Sequence, residues 1–178
     1  MKLLILDLDE TLIYATEQKL ERECDFQTEL YHVYKRPHLD TFLAFCAEHF
    51  QVGIWTTAGA NFADIVAANI LREDYPLQFL WSRKRCTRAY DSELTEHYYV
   101  KNLAKLKRKG YKLEHVIMVD DTPRKLERNY GNLVQIKEWF GDPRDQELLR
   151  LMNYLMNLKE VEDIRTVEKR LWHINYQP

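Results

Sequence analysis

The sequence predicts an α/β fold, a doubly wound parallel sheet with helices packed on its faces. Three observations carry this. Short apolar runs recur at Leu3 to Leu6, Val52 to Trp55, Phe79 to Trp81, Val116 to Val119 and Leu133 to Ile136. Unbroken runs of this length suit strands buried on both faces. Helical stripes alternate with them, as crossover connections in a parallel sheet require.

The helical stripes follow in order. Leu39, Phe42, Leu43 and Cys46 keep i, i+3, i+4, i+7 spacing after Pro37, a helix-starting residue. Phe62, Ile65, Val66 and Ile70 form a second stripe, and Val100, Leu103, Ala104 and Leu106 a third that ends near Gly110. Leu148, Leu149, Met152, Leu155 and Met156 form a fourth, and Ile164, Val167 and Leu171 predict a last short helix packed back on the body. The 178 residues fit a single domain over 1–178, with C-terminal helices at about 143–172. Two insertions, at about 13–35 and 72–98, are small. The first has room for a hairpin, since Leu30 to Tyr34 alternates like a strand. The second has room for a strand and a small ribbon.

Composition narrows the function classes. A net charge of -2 argues against a protein built to coat nucleic acid. Cys24, Cys46 and Cys86 form no CxxC pair, which argues against a disulfide framework and fits a reducing compartment. No apolar run approaches the roughly 20 residues that span a bilayer. With no leader ahead of the first strand, a cytoplasmic location is expected, with no membrane partner.

In doubly wound sheets ligands bind beyond the carboxyl ends of the strands. There the chain places Asp7-Leu8-Asp9-Glu10-Thr11, then Thr56-Thr57, then Asp120-Asp121, with Lys101 near a helix start. Asp7 and Asp9 lie two apart, so in extended chain they leave the same side. Crowded carboxylates repel unless a cation or a proton sits among them. With Asp120 and Asp121 they make a hard oxygen site suited to Mg²⁺, which keeps a position open for a phosphate oxygen. Thr56 can donate to a phosphoryl oxygen, and Lys101 can hold the same group as a point charge. Taken singly, each residue has a plainer reading: a strand-end Asp is commonly a turn former, and Asp121 before Thr122-Pro123 also suits a helix cap. The joint distribution favours phosphoryl chemistry.

These residues resemble the motifs of the haloacid dehalogenase superfamily. Asp7-Leu8-Asp9-Glu10-Thr11-Leu12 matches its DxDxT motif, Thr56 the second motif, Lys101 the third and Asp120-Asp121 the fourth. Three stretches further resemble the FCP/SCP (NLI-interacting-factor-like) phosphatases: Val33 to His38, Tyr99 to Leu103, and Val119 to Pro123. The resemblance covers nearly the whole chain, including the tail from Glu147 to Leu171. It implies Mg²⁺-dependent hydrolysis of phosphomonoesters through an aspartyl-phosphate. In that scheme Asp7 is the nucleophile and Asp9 the acid and base. Asp7, Asp120 and the Asp9 backbone carbonyl bind the metal, with Asp121 nearby through water, and Thr56 and Lys101 hold phosphate. Two departures stand out. Asp121 takes a place where many relatives carry Asn, and Arg88 to His97 is longer than the usual connection.

Neither insertion could make a full lid, and an open site admits a phosphate on something large. A phosphoserine or phosphothreonine protein is the expected substrate of a monomeric enzyme. Nucleic-acid ends and small metabolites are the alternatives. Arg83, with Lys84, Arg85 and Arg88 around it, is a substrate-binding candidate in the second insertion. A receiver-type module and a non-catalytic phosphate binder are the readings outside enzymes. Asp9 argues against the receiver, because a long-lived phosphoaspartate is not served by an acid-base group two residues away.

Overall fold

In the computed structural model, which describes residues 1–176, the first apolar run becomes the central strand. β1 (Leu3–Leu6) is followed by β2 (Ile13–Thr16), β3 (Phe26–Gln27) and β4 (His32–Lys35). Next come α1 (Leu39–His49), β5 (Gln51–Trp55), α2 (Ala60–Ile70) and β6 (Leu77–Trp81). The second insertion forms β7 (Thr87–Asp91) and β8 (Glu96–Val100), and then come α3 (Ala104–Lys107), β9 (Val116–Asp120) and β10 (Leu133–Gln135). α4 (Glu147–Glu160) and α5 (Trp172–Asn175) complete the described chain. The main sheet has the order β10-β9-β1-β5-β6, and all its pairings are parallel.

Both faces of this sheet are buried, which is why its strands read as unbroken apolar runs. Leu4 and Leu6 pack with α1, α2 and α4 on one face, while Leu3 and Ile5 join Trp55, Phe79, Met118 and Leu106 on the other. Burying each such side chain contributes about 1.5–3 kcal/mol, so β1 is firmly held where the chain turns into the site. Gly53 in β5 has a steric reason: a Cβ there would lie 2.5 Å from the Phe79 ring.

The insertions are two small antiparallel units. β2, β4 and β3 pair in that order over residues 13–35, and β7 pairs with β8. Arg36, only 1% exposed, ties the first unit to the body. Its Nε and Nη2 donate to the two oxygens of Asp145 at 2.8 and 3.0 Å, and its Nη1 donates to the Thr11 carbonyl at 3.0 Å.

Three helical expectations are corrected. Val100 ends strand β8, so Lys101 follows a strand, and the helix behind it is a single turn. Hairpin pairing with β7 claimed Val100, an effect that periodicity alone does not reveal. In α4 the buried stripe is Leu148, Leu151, Tyr154, Leu155 and Leu158, whereas Met156 is exposed. At the end, Ile164 is buried but Leu171 is 58% exposed. Trp172 packs the tail back instead, and its Nε1 donates to the Gln135 carbonyl at 2.7 Å.

Candidate active site

Four elements converge at the carboxyl edge of the main sheet. Asp7 follows β1, Thr56 follows β5, Asp120 ends β9 and Lys101 follows β8. Asp7, Thr56, Lys101, Asp120 and Asp121 are all buried. Ionisable groups are rarely buried unless paired, and here the pairing is dense. Lys101 Nζ lies 2.9 Å from Asp7 Oδ1 and 2.6 Å from Asp120 Oδ2.

Lys125 is the site residue that sequence reasoning missed. Its Nζ lies 2.7 Å from Asp7 Oδ2, 3.3 Å from Asp120 Oδ1 and 3.4 Å from Asp121 Oδ1. Two ammonium groups thus grip the same two carboxylates, each on a different oxygen. Their backbones are also joined, since the Lys101 amide donates to the Lys125 carbonyl at 2.7 Å. The available signal was the i, i+4 spacing from Asp121 across a turn begun by Pro123.

Asp121 does not cap that turn. Its oxygens accept from Thr11 Oγ1 at 3.1 Å, Thr122 Oγ1 at 2.6 Å and Lys125, while the Thr122 amide donates to Asp120 Oδ1 at 3.0 Å. Thr11, to which the sequence assigns a place in the DxDxT motif but no role, thereby ties that motif to Asp121.

The electrostatics separate the acids. Burial pushes the Asp7 carboxyl up, but Lys101 and Lys125 more than reverse this and hold it at about 2. Asp7 is therefore ionised. Burial, then the Asp7 charge, raises Asp9 to about 6. Burial and the Asp7 charge push Asp120 up to about 7. Burial opposes the Lys125 charge, yet Asp7, Asp120 and Asp121 outweigh it and hold the ammonium above its usual range.

Asp9 Oδ2 accepts from Thr56 Oγ1 at 3.4 Å, and Thr56 Oγ1 accepts from the Ala58 amide at 3.0 Å. An open cavity of about 470 Å³ begins at Asp9 and Glu10 and runs between Tyr31, Phe62 and Arg83. Arg83 stands just beyond β6, donates from Nε to the Thr57 carbonyl at 2.6 Å and lies over the Tyr99 ring at 5.4 Å.

Asp7, Asp120 and Asp121 each offer a carboxylate oxygen within 4.8 Å of the others, so they could hold a metal ion. The donor set is all oxygen, as a hard divalent cation requires. The Asp9 side chain is outside this cluster.

Sheet order and site place the chain among the haloacid-dehalogenase-type α/β proteins. Two solved structures share the fold. Fcp1, an essential RNA polymerase II CTD phosphatase, superposes with a TM-score of 0.65 at 18% identity, over 89% of this chain and 62% of that one. Fission yeast Fcp1 bound to beryllium fluoride gives 0.57 at 19%, over 93% and 52%. The family model "NLI interacting factor-like phosphatase" matches residues 2–165, and the chain belongs to that family.

Among its relatives, a Dictyostelium discoideum protein named probable C-terminal domain small phosphatase is 32% identical, over 94% of this chain and 54% of its own length. The CTD nuclear envelope phosphatase 1 homolog of Drosophila melanogaster is 31% identical, over 98% and 74%. Nuclear envelope morphology protein 1 of Schizosaccharomyces pombe is 28% identical, over 92% and 34%. The chain thus spans from a third to three quarters of these relatives.

Two of those names overturn the cytoplasmic expectation, because they point to the nuclear envelope. Among the described residues no helix is long and apolar enough to cross a membrane.

Proposed function

We propose that the chain is a Mg²⁺-dependent phosphatase acting on phosphoserine and phosphothreonine proteins through an aspartyl-phosphate on Asp7. The observation that carries this is the Asp7 carboxylate: ionised, buried, gripped by two lysines, and two residues from an acid that burial and the Asp7 charge raise to about 6.

In the first half-reaction an Asp7 oxygen forms a bond to phosphorus as the bond to the leaving oxygen breaks, and Asp9 gives that oxygen its proton. In the second, Asp9 takes a proton from water as the water oxygen bonds to phosphorus. The bond to Asp7 then breaks, releasing phosphate and restoring the carboxylate. Lys101, Lys125 and Thr56 offer donors for the phosphoryl oxygens, where preorganised charge counts most in such a loose transition state. Asp7, Asp120 and Asp121 would hold Mg²⁺, which supplies charge neutralisation for the phosphoryl group.

The open approach favours a large substrate. The insertions fold into a three-stranded unit and a hairpin, and the groove from Asp9 to Phe62 and Arg83 is accessible. Relatives named for C-terminal-domain phosphatase activity support a protein substrate.

Phosphate release from phosphoserine peptides, p-nitrophenyl phosphate and phosphorylated oligonucleotides tests this, with Mg²⁺ or with EDTA. Mg²⁺-dependent turnover favouring peptides is expected. Preference for oligonucleotide ends would replace the substrate class, and full activity in EDTA would overturn the metal assignment.

A further inference from the structure

A second, smaller cavity opens from the same cluster, and of its walls only Lys125 takes part in the chemistry above. It holds about 260 Å³ and is walled by Thr57, Tyr98, Tyr99, Thr122, Arg124 and Lys125. Its walls adjoin the reacting groups. Thr57 follows Thr56, Thr122 follows Asp121, Tyr99 lies two before Lys101, and Lys125 touches Asp7. Thr57 also lines the larger groove, so the two cavities meet at the tip of β5. The Arg83 guanidinium, over Tyr99 and bonded to the Thr57 carbonyl, stands at that junction.

We propose that this slot is a second specificity site, which takes one apolar side chain flanking the phosphorylated residue of a protein substrate. The proposal rests on the phosphatase reading and adds a recognition element to it.

Size limits the occupant. Pockets for whole small molecules run from about 300 to 1,000 Å³, and this one falls below that range. Polarity selects it further. Both cations in the wall are already engaged: Arg124 by Asp91 and Glu96, Lys125 by three aspartates. What remains on offer is the aromatic wall of Tyr98 and Tyr99, which favours an apolar group over a second phosphate.

Order completes the argument. Arg124 stacks on the Tyr98 ring at 3.9 Å, and Tyr98 Oη donates to Glu127 at 3.0 and 3.1 Å. A wall held from two sides costs little to organise on binding.

The test is a phosphoserine peptide panel in which each flanking position is Leu or Gly in turn, read as kcat/KM, with p-nitrophenyl phosphate alongside. The native protein is expected to favour Leu at one flanking position by about tenfold, the worth of burying part of one such side chain. Tyr98→Ser is expected to cut that preference below about threefold, a residue of the same burial. Tyr99→Ser, on the other wall, gives the same reading if Tyr98→Ser does not fold. Turnover of p-nitrophenyl phosphate with no positional preference would overturn the slot and leave the phosphatase reading standing. A preference that survives both substitutions, or faster turnover of oligonucleotides than of any peptide, would also overturn it. No turnover of p-nitrophenyl phosphate by the native protein would remove the parent reading and the slot with it.

Discussion

The Lys125 ammonium lies 2.7 Å from Asp7 Oδ2, on the opposite carboxylate oxygen from the one that Lys101 holds at 2.9 Å. The proposed nucleophile is therefore clamped from both sides. Lys101 is sealed, whereas the Lys125 side chain keeps 16% of its surface exposed. Lys125 also reaches Asp121 Oδ1 at 3.4 Å. A carboxylate and an ammonium thus meet beside the nucleophile.

That pairing predicts a double-mutant result. Lys125→Met should lower kcat/KM on p-nitrophenyl phosphate by about ten- to a hundredfold, the worth of one charge-assisted contact. Adding Asp121→Asn should recover part of the loss, because it removes the acid that Lys125 offsets. A coupling energy of about 1–3 kcal/mol is expected for charges in one network. Strictly additive effects would separate the two residues.

Arg36 yields a stability prediction. Its side chain is fully buried, its partner Asp145 is 14% exposed, and it also holds the Thr11 carbonyl. Arg36→Ala strands those acceptors and should cost about 3 kcal/mol, in line with other broken buried pairs. Urea unfolding measures this, and a loss under about 1 kcal/mol, the worth of a surface pair, would contradict the anchoring role.

Asp9 is assigned to both proton transfers. Asp9→Asn keeps the shape and removes the titrating group. Rapid-quench kinetics should show both half-reactions slowed, by about a hundredfold or more for general acid-base catalysis. Unchanged formation and decay of the intermediate would remove Asp9 from the mechanism.

The main sheet and much of the site were legible because each strand is an apolar run that ends in a polar residue. Asp7, Thr56, Lys101 and Asp120 do come together. Where helical periodicity misled, tertiary pairing had decided: Val100 joined a hairpin, and Trp172 anchored the tail by a hydrogen bond to β10. Lys125 was hidden for a different reason. A lysine in a charged stretch ordinarily faces solvent, and only the tight turn after Pro123 brings it back over Asp121. Thr11 was read as part of a motif, and its bond to Asp121 spans 110 residues of chain, a distance local patterning cannot bridge.

The most direct test of the central claim is to look for phosphate on Asp7. The Asp9→Asn protein, in which decay of the intermediate is slowed, would be mixed with Mg²⁺ and a phosphoserine peptide, quenched in acid, digested and analysed by mass spectrometry. The account predicts a phosphorylated fragment carrying Asp7, absent when Asp7→Asn is added. Turnover of the peptide by the native protein with no label on Asp7 in any quenched sample, or full turnover by Asp7→Asn, would contradict it.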